Sequence, residues 1–120
     1  MATKTTGFAR IRALGRSLTD VEEGTSWGAP ALKTSGQMFA CLPTHKSAEP
    51  DSLVVRIDFD QRDELLAADP KTYYLKDHYV NYPCVLVRLG RINDDALRDL
   101  LRMAHDYVRA RTKRPRRRET

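Results

Sequence analysis

Cysteine, histidine and long apolar runs are all scarce in this sequence, and each scarcity removes a class of function. The 120 residues hold two cysteines, Cys41 and Cys84, each inside an apolar, strand-like run where a free thiol behaves as a small hydrophobe. No disulfide framework is expected from them. The three histidines, His45, His78 and His105, stand far apart and outside the paired Cys/His spacings of zinc sites, so no metal and no cofactor is expected. No run is long and apolar enough to cross a membrane, and no membrane partner is expected. The N-terminus reads Met1-Ala2-Thr3-Lys4-Thr5-Thr6, and Arg10 and Arg12 interrupt the apolar residues that follow, which is not the pattern of a signal peptide. A cytoplasmic location, where thiols stay reduced, is the resulting expectation.

Catalytic signatures are equally thin. Ser26, Cys41 and Cys84 carry no recognisable nucleophile motif, and the apolar run around Cys41 would raise its pKa. Gly24-Thr25-Ser26-Trp27-Gly28 resembles a phosphate cradle only superficially, because it lacks the Lys-Ser/Thr ending and Glu22 and Glu23 would repel phosphate. The reading is a non-enzymatic binding protein.

What is present is an ordinary globular composition, 41% hydrophobic and 31% charged, in a length that fits one domain. The net charge of +5 is unevenly placed. From Arg109 to Thr120 seven cations face one acid, which gives +6 and leaves −1 on residues 1 to 108. The domain is expected over residues 1–111, with a basic, disordered tail over 112–120.

Phe8, Ile11, Leu14 and Leu18 recur at helical spacing, with Arg10, Arg12 and Arg16 between them on a basic outer face. Residues Thr19 to Pro30 read as a connecting loop containing Trp27. Two strands, Ala31 to Thr34 and Gln37 to Leu42, flank the turn at Ser35-Gly36. A polar loop from Pro43 to Asp51 precedes a third strand, in which Leu53, Val55, Ile57 and Phe59 alternate with Arg56 and Asp58. A short helix with Asp60 as its N-cap ends at Pro70, and Thr72 to Val80 and Cys84 to Leu89 read as two more strands. The last helix is capped by Asn93, with Ile92 and Leu97 as a hydrophobic staple and Leu97, Leu100, Leu101, Ala104 and Val108 as its buried stripe. His105 lies beside that stripe, where packing is its expected role. Without βαβ alternation, the expected fold is α+β: a two-layer sandwich of one antiparallel sheet covered on one face by the N- and C-terminal helices.

Three segments resemble the MmcQ/YjbR-like proteins: Val21-Glu22-Glu23-Gly24-Thr25-Ser26-Trp27-Gly28, then Lys33 with Gly36-Gln37-Met38-Phe39-Ala40, then Tyr74-Leu75-Lys76-Asp77-His78-Tyr79-Val80. The resemblance runs from about Phe8 to about Arg111, with Tyr79 where the family often has Trp, and it leaves out the basic tail. It implies a CyaY/frataxin-like fold and a DNA-binding role of double-wing type. Frataxin-like iron handling does not fit, since the first helix carries Arg10, Arg12 and Arg16 where hard cations need clustered carboxylates.

Two function classes follow. One is a DNA-binding module contacting phosphates through Arg10, Arg12 and Arg16 of the first helix, through Lys33, Lys76 and His78 at the sheet edge, and through Arg114, Arg116 and Arg117 of the tail. The other is a protein-interaction or small-ligand adaptor with a cleft at Trp27, Tyr74 and Tyr79, favoured by the near-neutral body. Each residue has a plainer alternative: a core position for the aromatics, a solvated strand edge for Lys76 and His78.

Overall fold

The computed structural model describes residues 3–26 and 28–113, with side chains described from Phe8 to Arg111. Trp27, Arg114, Arg116 and Arg117 lie outside the described residues. Helix α1 (Thr3–Gly15) leads into strands β1 (Glu22–Ser26), β2 (Ala29–Thr34), β3 (Gln37–Cys41) and β4 (Ser52–Arg56). Helix α2 (Phe59–Ala68), β5 (Tyr73–Tyr74), a 3-10 turn (Asp77–Tyr79), β6 (Cys84–Arg88), a second 3-10 turn (Leu89–Arg91) and α3 (Asp94–Lys113) complete the chain. The strands form one sheet in the order β1-β2-β3-β4-β6-β5, antiparallel at every pairing.

Helices α1 and α3 pack together against one face of this sheet, which is the expected two-layer arrangement. The stripe Leu97, Leu100, Leu101, Ala104 and Val108 is buried there against Leu53, Val55, Val85 and Val87 of the sheet and Phe8 and Ile11 of α1. Each fully buried Leu or Val contributes roughly 1.5–3 kcal/mol of transfer free energy, so this layer dominates the stability. Asn93 caps α3 as expected, its Oδ1 accepting from the Ala96 N–H at 2.8 Å, and Ile92 and Leu97 share the core beneath it.

Three local expectations are corrected. Glu22–Ser26 is a strand, not part of a loop: it forms the sheet's edge, paired with β2 from Glu22↔Lys33 to Ser26↔Ala29. Its residues are nearly all exposed, so it carries none of the apolar alternation by which strands are recognised. Asp58, rather than Asp60, caps α2, its carboxylate accepting from the Gln61 N–H at 2.8 Å. Residues Thr72 to Val80 are not one long strand: pairing stops after Tyr74, and the chain coils into the 3-10 turn at Asp77–Tyr79. The β-prone tyrosines mislead here because Tyr79 is buried by packing against the sheet face rather than by a ladder.

The turn at Ser35-Gly36 is as expected, with both residues at positive φ, +54° and +78°, the requirement of a two-residue type I′ hairpin. Within β3 the register slips: Leu32 pairs with Ala40 but Lys33 with Met38, leaving Phe39 as the extra residue of a bulge. Phe39 and Ala40 therefore both serve the helix-side core, while Met38 and Cys41 belong to the opposite face.

Candidate functional site

The predicted basic contacts divide between the two sides of the sheet. Arg10 is a structural tie between α1 and the start of α3. Its Nε donates to Asp94 Oδ1 at 2.7 Å, one terminal nitrogen donates to the Leu89 carbonyl at 2.8 Å, and the other donates to the Ile92 carbonyl. Arg12 pairs with Glu23 of β1 at 2.8 Å and lies over the Phe8 ring. Arg16 is exposed beyond the end of α1. Of the three arginines, Arg16, just past the helix, is thus the open one. Lys33, Lys76 and His78 lie on the other side. Cross-strand partners share a face, which puts Glu22, Lys33 and Met38 opposite the helices.

That second face is concave. Residues 43–49 and the segment running from Leu75 through the 3-10 turn to Pro83 fold over it and leave a groove of about 670 Å3. The floor comes from strand positions facing away from the helices: Val54 and Arg56 of β4 by alternation, Met38 and Cys41 of β3 on either side of the bulge, and Cys84 of β6. Pro43, Thr44 and His45 form one wall, and His78, Tyr79, Tyr82 and Pro83 the other. The walls meet in a stacked pair of imidazoles, His45 on His78, with ring centres 3.8 Å apart and planes within 11°. His45 is held in place by Ser47, whose backbone N–H donates to Nδ1 at 3.1 Å. Tyr79 sits edge-on to both rings beneath the stack, and its burial pushes the phenol pKa up.

Helix α2 secures the second wall. Arg62 is buried, and a single terminal nitrogen donates to the carbonyls of Val80 and Tyr82, both at 3.0 Å, while its guanidinium lies over the Phe59 ring. These bonds add to the wall's own turn bonds, such as the Tyr79 N–H to the Lys76 carbonyl at 2.8 Å, and fix the wall to the body; Tyr82 stands at the rim 57% exposed. Tyr74, by contrast, does not line the groove. Its hydroxyl bonds Ser52 Oγ at 2.6 Å and accepts from the Glu49 N–H, and the Arg88 guanidinium, doubly bonded to Glu49, lies 4.3 Å over its ring. Lys76 lies over the same ring at 5.8 Å.

The groove's chemistry is apolar with one fixed charge. Burial pushes the Cys41 thiol to about 12 and the Cys84 thiol to about 11, so both are protonated and act as floor. Among the described residues Arg56 is the one Lys, Arg, Asp or Glu that lines the groove, and its terminal nitrogen makes two contacts with them, at 3.4 Å, to Gln37 Oε1 and the Met38 carbonyl. Among the described residues no three metal-ligating side chains cluster. No helix is long and apolar enough to cross a membrane. His105 packs as expected: it is buried edge-on to Phe39, with Nε2 2.6 Å from the Thr19 carbonyl.

The sequence reading places His78 and Tyr79 in a site but does not single out Arg56 or Tyr82, and it weighs Ser26 only as a nucleophile and His45 only as a metal ligand. One signal was available: in the alternation of Leu53, Val55 and Ile57 with Arg56, the arginine must face away from the helices.

A family model described as YjbR matches residues 16–107. The chain belongs to the YjbR family. Among solved structures, a Deinococcus radiodurans protein with a DUF419 domain superposes with a TM-score of 0.61, at 23% identity, over 78% of this chain and 72% of that one. That likeness supports the fold. No curated protein matches the chain. The span matched by the YjbR family model contains every groove-lining residue and leaves out Arg10, Arg12 and the basic tail.

Proposed function

We propose that this YjbR-family domain is a non-enzymatic binding module whose ligand site is the groove on the helix-free face of the sheet. The observation that carries this reading is a concavity of about 670 Å3 with an apolar floor and a few polar groups at its walls, within the size range of small-ligand sites. Its thiols are held neutral by burial rather than activated, which supports binding over nucleophilic chemistry. Two reduced, buried thiols also fit a cytoplasmic setting. The test is an amide chemical-shift screen against a library of small aromatic and aliphatic compounds. Shifts confined to Met38, Cys41, Val54, Arg56 and the 78–84 segment support the site; hits that cluster on α1 and α3 would refute it.

DNA binding through phosphate contacts is a second reading, supported by the +6 charge of residues 109–120 and by Lys33, Lys76 and His78 sharing the groove's side of the sheet. Anisotropy with duplex and single-stranded DNA across a salt series separates the two sources of charge. If replacing Arg114, Arg116, Arg117 and Arg118 by Gln abolishes binding, the attraction belongs to the tail. If binding survives and falls on replacing Lys33 and Lys76 by Gln, the folded domain is the reader.

A further inference from the structure

We propose that the groove takes an amphipathic anion: an apolar, ring-bearing body seated on Met38, Cys41, Val54 and Cys84, with one carboxylate, sulfonate or phosphate group held by Arg56. This rests on the groove being a ligand site. The argument begins with how the arginines are partnered. Arg10, Arg12 and Arg88 each bond a carboxylate at 2.7–2.8 Å, and buried Arg62 bonds two carbonyls at 3.0 Å. Arg56 is half-buried, yet it has no carboxylate partner among the described residues, and its two contacts lie at the outer limit of hydrogen bonding. A guanidinium offers five N–H donors in a planar fork, so this one keeps most of its capacity for an incoming oxyanion.

The surroundings fit the same ligand. Among the described residues no Asp or Glu lines the groove, so none of them opposes a negative charge there. The two thiols of the floor are protonated and do not oppose it either. With one cation in the lining, the site suits a single anionic group rather than a polyanion, whose affinity grows with the number of phosphates neutralised. For the apolar body, the ordered His45–His78 stack and the exposed Tyr82 ring supply flat faces at the rim.

Two dyes that share one ring system separate the parts of this proposal. Anilinonaphthalene sulfonate carries the anion, and N-phenylnaphthylamine is its neutral counterpart. Each is titrated by fluorescence into the full chain, into Arg56→Gln, and into Arg16→Gln as a control for general cationic attraction. The expected result is that the sulfonate binds roughly tenfold or more tightly than the neutral dye, as a charge-assisted bond allows. R56Q removes that advantage, the neutral dye binds R56Q and the unsubstituted chain alike, and R16Q changes nothing. Equal binding of both dyes with no effect of R56Q would overturn the anion assignment while leaving the groove reading intact. An equal loss in R16Q and R56Q would also overturn it, as surface charge alone. Failure of both dyes to bind would overturn the groove reading itself.

Discussion

The two faces of the sheet solve opposite problems with similar residues. On the helix face, cations end in pairs that tie elements together: Arg10 with Asp94, Arg12 with Glu23, Arg109 with Asp20. Apolar side chains there form one continuous core beneath two helices. On the groove face a smaller cluster of Ala31, Cys41, Val54, Tyr74, Tyr79, Cys84 and Leu86 lies beneath the loop and turn segments, and although Arg88 pairs with Glu49 there, Arg56 has no carboxylate partner among the described residues. Basic residues counted along the sequence put the first helix among the candidate binding surfaces, beside the sheet edge and the tail. The partners of those residues rank the other face first, because a guanidinium already satisfied by carbonyls and a carboxylate has little left to offer a ligand.

If stability resides mainly on the helix face, Leu101→Ala should cost about 2–5 kcal/mol in chemical denaturation, whereas Val54→Ala on the groove floor should cost clearly less. Equal losses would erase the contrast between the faces. Arg62→Met comes next, at about 1–3 kcal/mol, because the Val80 and Tyr82 carbonyls lose their shared donor. Hydrogen exchange should quicken in the 77–82 wall and not in α3, and a uniform change would place Arg62 in the global core instead. Arg10→Gln should cost about 1–2 kcal/mol and Arg16→Gln less than about 0.5 kcal/mol, since only Arg10 bonds three partners. If both proved neutral, the tie between α1 and α3 would be ornamental.

The sequence conveys the helix face far better than the groove face, for a physical reason. A stripe such as Leu97, Leu100, Leu101, Ala104 and Val108 repeats because a regular helix meets a regular sheet, and periodicity reports that directly. β1 escapes notice because an edge strand buries almost nothing, and the groove wall escapes because Tyr79 is placed by a 3-10 turn and the Val80 and Tyr82 carbonyls by Arg62, eighteen and twenty residues earlier in the chain. The His45–His78 stack joins residues 33 positions apart across two loops, which no local pattern announces. The resemblance motifs around Gly36-Gln37-Met38 and Tyr74 to Val80 do fall on the groove side, so those segments mark the region without revealing its shape.

The smallest expected effect tests whether the groove face has any fixed electrostatics besides Arg56. Glu49 and Arg88 form a two-point pair beside Tyr74, and the hydrogen bond from Arg88 holds the Glu49 carboxyl below its ordinary value of 4.5. A carboxyl whose folded pKa is depressed binds protons more readily in the unfolded chain. Its contribution is therefore fully present above pH 4.5 and is lost as the pH falls through the lowered value. Glu49→Gln should flatten that part of the acid-side stability curve while leaving the curve above pH 5 parallel to that of the unsubstituted chain. Because the pair is open to solvent, the change should also shrink at high salt. An acid limb of unchanged shape in E49Q would mean that Arg88 is held by the Tyr74 ring and the Pro70 and Lys71 carbonyls, and that the groove face owes its order to packing.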